Sequence, residues 1–231
     1  MQIDDYITDS RVSYLVVAMM LCPFKPRWER RKDARPQELL NAALDLFVER
    51  GFAATRLDDV ARAAGVSKGT LYLYFCSKEE LFKAVVRESV VPHLGEAEGV
   101  MDHFTGDSEQ LLRLMMKTWW DNIGNTKLSG LTKLMIAEAG NFPELARFYQ
   151  EEVIDRGDKL VSKMLERGME RGEIRQVDLN IAPRILIAPM LMMMVWKHSQ
   201  GVCKVEPEQL GAYLEQYIDM ALHGLLVKVP G

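Results

Sequence analysis

Five side chains able to grip phosphates and base edges fall within eight residues: Ser67, Lys68, Thr70, Tyr72 and Tyr74 in the run SKGTLYLY. Their hydroxyls and ammonium suit contacts to the polyanionic backbone and groove edges of a duplex, with Gly69 allowing close approach. Sets that make and break bonds are missing from the sequence. It holds no Ser-His-Asp set, no H-E-x-x-H and no glycine-rich phosphate loop. Glu151 and Glu152 are adjacent acids on one helix and read as a solvated face. Cys22, Cys76 and Cys203 are far apart, and His93, His103, His198 and His223 are equally scattered, so no metal site or cofactor is expected. The chemistry expected is binding, not catalysis.

The elements that must present these groups are helical. Leu39, Leu40, Ala43, Leu44, Phe47 and Val48 make an apolar stripe, and Gly51 is a plausible end for that helix. Thr55 precedes LDDVARAA with Asp58 three positions on, which resembles a capping box. Gly65 breaks this second helix, and Ser67 caps the third, KGTLYLYF. Ser77 with Glu80 starts a fourth, expected to end near His93 in a polar loop, GEAEGVMDHFTGDS. Later helices are predicted over 109–123, 127–139, 143–171, 179–199 and 207–226, so the chain is all-α. Two short helices around a glycine-containing turn form a helix-turn-helix pattern, with Val66 and Leu71 pinned against Leu57, Val60 and the first helix.

GVSKGTLYLYFCSKEELF, with the stripe Leu39–Arg50 before it, resembles the DNA-binding signature of the tetracycline-repressor (TetR) family. The resemblance implies an N-terminal three-helix helix-turn-helix domain over 27–78, followed by a helical ligand-binding and dimerisation domain over 79–231. It implies that Lys68, Gly69 and Thr70 approach bases or adjacent phosphates. Tyr72, Tyr74, Ser67, Thr55 and Lys78 are implied to bind phosphates. Arg56 departs from the small hydroxyl residue common in the family; it either reaches the groove or pairs with Asp59. Leu73 either packs on a thymine methyl or does nothing. The implied activity is repression of a palindromic operator, released by a small molecule.

That ligand is expected to be at least partly apolar, because the candidate pocket residues are large and soft: Met115, Trp119, Trp120, Phe148, Tyr149, Met193 and Trp196, with Met116 and Met135 beside them. Any one of these can equally be core or subunit interface. Arg113 and Glu138 are charged candidates for orienting a polar ligand. A homodimer is expected through the last two long helices, at Ile185, Ala188, Met192 and Val195 and then Leu210, Tyr213, Leu214, Tyr217, Ile218, Ala221 and Leu225.

Charge distribution agrees with a duplex reader. Residues 27–78 carry ten Lys/Arg and seven acids, so this stretch is +3 within a chain of net charge -4. The basic run Arg27–Arg35 is either a cationic arm or a solvated leader. Residues 1–26 are read as a disordered or non-native leader, with Met19 or Met20 as working initiator. Export or an additional helix are the alternatives for the run Val12–Phe24, which is too short to span a membrane. The expected compartment is the cytoplasm, with no membrane partner. Two rival functions stay open: a nucleoid or division factor without promoter-specific regulation, and an enzyme carrying a fused reading head.

Overall fold

The computed structural model describes residues 36–199 and 206–227, so the leader, the basic run and Cys203 lie outside the described residues. Within them the chain is helical, with no strand beyond one isolated bridge between Ile174 and Leu226. Helix α1 (Pro36–Arg50) buries Leu39, Leu40, Ala43, Leu44, Leu46 and Phe47. It ends at Gly51, whose φ of 84° an L-side chain rarely adopts. Helix α2 (Leu57–Ala63) ends before Gly65, where φ is 69° and the chain turns into α3 (Lys68–Tyr74).

Two caps act locally, as the sequence suggests. Ser67 accepts a hydrogen bond from the Thr70 amide, and Ser77 accepts one from the Glu80 amide at the start of α4 (Lys78–Ser89). The expected cap at Thr55 is different. Arg56 occupies the N-cap of α2 without a side-chain bond, and the buried Thr55 hydroxyl instead meets the carbonyls of Leu46 (3.1 Å) and Gly51 (2.7 Å). Thr55 therefore ties the α1–α2 turn to α1.

The expected loop after His93 is instead α5 (Val91–His103). Pro92 lies in its first turn, where a missing amide costs nothing, so this proline opens a helix. Buried Leu94 and an ion pair between Arg156 and Glu98 (3.0 Å) hold the helix to the body despite Gly95 and Gly99. Helix α6 (Ser108–Trp119) starts with a capping box of Asp107 and Gln110 and runs into a π-turn at Trp120–Gly124. Helix α7 (Ser129–Glu138) follows. The predicted long helix from Pro143 is three pieces: α8 (Pro143–Tyr149), a π-turn (Gln150–Ile154) and α9 (Asp155–Glu170). Helices α10 (Ala182–Lys197) and α11 (Pro207–Leu225) complete the body.

One hydrophobic core runs through head and body. Phe52, in the α1–α2 turn, packs edge-on against Phe82 of α4 (5.7 Å) and Phe142 before α8 (4.7 Å). The head is thus seated on the body by aromatic contacts that cross from α1 to α8. No described helix is long and apolar enough to cross a membrane.

Candidate nucleic-acid interface and ligand cavity

Helix α3 is held by one fully buried side chain, Leu71, which belongs to the same core as Val60 and Ala61 of α2. Burying that face leaves the opposite one outward. Tyr72 is 44% exposed, Leu73 64% and Tyr74 44%, and Ser67, Lys68 and Gly69 are exposed as well. Thr70 is half-buried, its hydroxyl 2.8 Å from that of Ser67. These groups form one outward polar strip with a leucine at its centre.

Lys68 is not idle in this strip. Its ammonium lies 2.7 Å from a carboxylate oxygen of Asp58 on α2 and 5.8 Å from the centre of the Tyr72 ring. The Asp58 hydrogen bond raises its pKa above the ordinary lysine value, so it stays a cation that a phosphate can take over. Arg56 is exposed, and Asp59 pairs with Arg62 (3.0 Å) and Arg50 (3.6 Å), so the alternative partner considered for Arg56 is already occupied.

Two expected contacts do not lie on the strip. Thr55 is buried, as described above. The Lys78 ammonium donates to the carbonyls of Phe52 (2.7 Å) and Ala53 (3.1 Å), above the Phe52 ring, and its partial burial lowers its pKa. Both side chains fasten the α1–α2 turn. Asp58, which sets the position of Lys68, was not among the expected residues; only its spacing from Lys68 around the turn signals it.

Two of the body's cavities adjoin and share wall residues. One, of about 110 Å³, is lined by α5, α6, α9 and α10, with Leu112, Met115, Met116, Leu160, Met164 and Met190 in its wall. The other, of about 520 Å³, lies between α6, α7, α8, α10 and the second π-turn, lined by Met135, Ile136, Tyr149, Val153, Ile187 and Leu191 among others. Leu94, Trp119, Ile123, Gly157 and Ile187 line both. Of the expected pocket residues, Met115 and Trp119 face the first and Trp119 and Tyr149 the second; Met116 and Met135 line one each. The rest pack elsewhere. Trp120 lies against Gly124, Phe148 sits under Arg87 (4.9 Å), Trp196 stacks edge-on with Tyr213 (5.6 Å), and Met193 is fully buried in the core. Neither Arg113 nor Glu138 lines these two cavities: Arg113 pairs with Asp219 (2.9 Å), and Glu138 accepts the Ala53 amide (3.3 Å).

Comparison with known proteins gives this arrangement its kinship. The family model described as "Bacterial regulatory proteins, tetR family" matches residues 39–85, and "Tetracyclin repressor-like, C-terminal domain" matches 103–202, together more than half of the chain. The chain belongs to the TetR family. Among relatives of this TetR-family chain, the HTH-type transcriptional repressor KstR2 of Mycolicibacterium smegmatis is 27% identical over 194 residues, covering 83% of this chain and 91% of that one. The HTH-type transcriptional activator FasR of the same organism is 38% identical over 92 residues, covering 40% and 42%. Among solved structures, the TetR-family regulator PfmR from Thermus thermophilus superposes with a TM-score of 0.65 at 26% identity, covering 80% of this chain and 97% of that one.

In this TetR-family chain, α7 joins head to body. Gly130 lies so close to Val48 of α1 that a Cβ built on it would meet Val48 Cγ1 at 2.4 Å. Lys127, just before α7, pairs with Asp45 of α1 (2.6 Å), and Glu138 at its other end holds the α1–α2 turn through Ala53. The same helix lines the larger cavity with Thr132, Met135 and Ile136, and the Thr132 hydroxyl is 3.1 Å from that of Tyr149.

Proposed function

We propose that this chain is a dimeric, sequence-specific transcriptional repressor that leaves a palindromic operator when a largely apolar small molecule enters its body. The observation that carries this reading is α7: one ten-residue helix, with Lys127 two residues before it, touches the reading head at three places and lines the larger of the two adjacent cavities with its other face. A ligand that shifts α7 must therefore displace α1, and with it the strip on α3. The relative KstR2, named a repressor and similar along most of its length, favours release over recruitment; FasR, named an activator, matches over 92 residues, a shorter stretch.

DNA is met by Ser67, Lys68, Gly69, Thr70, Tyr72 and Tyr74, with Arg56 beside them, now without a competing acid. One head of this size holds too few contacts for a specific site, which calls for two half-sites. The second copy joins through α10 and α11. Ile185 (64% exposed), Met192 and Met220 (67% exposed) leave an apolar patch there, larger than a solvated face requires. Leu210, Leu214, Ile218 and Leu225, expected on that interface, are instead buried against their own subunit. The outward stripe of α11 is Tyr213, the half-buried Tyr217 and Met220.

The test is sequencing of genomic fragments retained by the purified chain, alongside a reporter driven by the fragment most enriched. A few palindromes at promoters, with reporter output lowered by the chain, support repression. Many dispersed sites would favour the nucleoid reading, and raised output would make the chain an activator.

A further inference from the structure

The first chamber is apolar except at one side. Among the described residues no Asp, Glu, Lys or Arg lines it, and its polar side chains are His93, Thr118 and Asn122. His93 Nδ1 is buried and makes no hydrogen bond; the exposed carboxylate of Glu96 stands 3.5 Å away. The side-chain amide of Asn122 has no partner among the described residues, although its backbone carbonyl accepts from Thr126. Asn122 belongs to the π-turn Trp120–Gly124, and such turns, which shift side-chain register by about 100° of helix, recur at functional sites. Two polar side chains without protein hydrogen-bond partners, from α5 and from this turn, thus line one otherwise apolar chamber.

His93 Nδ1, buried in an apolar wall without a hydrogen bond, is costly unless a ligand or water meets it, and the half-buried Asn122 amide beside it is free to share that ligand. A charged ligand would face the same cost without compensation, because the chamber supplies no counter-charge. Resting on the reading of these cavities as the effector site, we infer that the part of the effector seated in the first chamber is uncharged and carries one hydrogen-bonding oxygen, a hydroxyl or ketone, met by His93 and Asn122. His93 offers a donor on one ring nitrogen and an acceptor on the other, and Asn122 offers both on its amide, so either oxygen type can be matched. The apolar wall sets affinity, and the pair sets which apolar molecules are accepted.

Calorimetric titration with three probes of one ring size tests this: naphthalene, 2-naphthol and 2-naphthoate at neutral pH. The expected order is 2-naphthol first, about tenfold tighter than naphthalene, with 2-naphthoate weakest. In a chain carrying His93→Phe and Asn122→Leu, naphthalene should bind as before or better and 2-naphthol should lose its advantage. Retained naphthalene binding shows that the variant still folds. Tightest binding of 2-naphthoate, or a hydroxyl preference that survives both substitutions, overturns the inference while leaving the cavity as the effector site. No binding of any probe by a chain that still binds DNA removes the cavity reading itself.

Discussion

Gly130→Ala is the sharpest perturbation of the joint between head and body. The added methyl would lie 2.4 Å from Val48 Cγ1, 2.8 Å from Cγ2 and 3.1 Å from Cβ. Carbon atoms in contact sit about 3.5–4.0 Å apart, so the overlap exceeds roughly 1 Å and Val48 or α1 must move. Overpacking of this kind costs about 1–3 kcal/mol, against at most about 1 kcal/mol gained by replacing glycine with alanine in a helix. The net expectation is destabilisation of about 1–2 kcal/mol by urea unfolding, with m unchanged. In a Val48→Ala background the two close methyls are gone and only the 3.1 Å approach remains. There the same substitution should be neutral or stabilising, a coupling of about 1–3 kcal/mol in the double-mutant cycle. Operator affinity should follow: Gly130→Ala lowers it through a tilted head, and the double variant recovers it. Additive effects of the two substitutions would refute a packed α1–α7 joint, and unchanged operator affinity would refute its role in coupling.

The remaining expectations follow from individual bonds. Tyr72→Phe should weaken binding to all duplexes alike, by about 1 kcal/mol, whereas Thr70→Ala should change preference at a few base positions; competition titrations on randomised duplexes separate the two. Asp58→Asn releases Lys68 from its ion pair and should strengthen binding to all duplexes with the salt slope little changed, because Lys68 no longer gives up a carboxylate to meet the same phosphate. Thr55→Val leaves the α1–α2 turn without its two hydroxyl contacts and should cost about 1–2 kcal/mol of stability with base preference unchanged. The Ser108 hydroxyl and amide both donate to Glu173, holding its carboxyl below the usual value. That stabilisation is present above pH 4.5 and is lost as the pH falls through the lowered value, so Glu173→Gln should flatten the fall of the thermal midpoint below pH 4.5 relative to the native chain.

Most of the head was legible because its determinants are local. Ser67 and Ser77 cap three residues onward, Gly51 and Gly65 turn where no other residue fits easily, and Leu71 is the one large apolar residue facing back to α2. The side-chain bonds of Thr55 and Lys78 were not legible: Thr55 folds back onto carbonyls of Leu46 and Gly51, and Lys78 reaches carbonyls of Phe52 and Ala53, far back in the chain. Neither bond leaves a trace in spacing. The cavities were half-legible for a related reason. Met115 and Trp119 sit one turn apart on α6 and share a chamber, as helical periodicity allows. Asn122 and Ile123 continue the same stripe into the π-turn, seven and eight residues on from Met115, while Trp120 turns to the core; a polar Asn within that stripe is not marked out by residue type as part of a soft apolar wall. Glycines at 95 and 99 suggested a loop, yet tertiary contacts of Leu94 and Glu98 override their low helix propensity.

Two strips on two copies of this chain should read one palindrome. Fluorescence-anisotropy titration of the most enriched duplex, beside a duplex carrying a single half-site, tests it directly. Saturation is expected at two chains per palindrome, with affinity for the half-site weaker by about a hundredfold or more. Equal affinity for both duplexes, with one chain bound to each half-site independently, would contradict it.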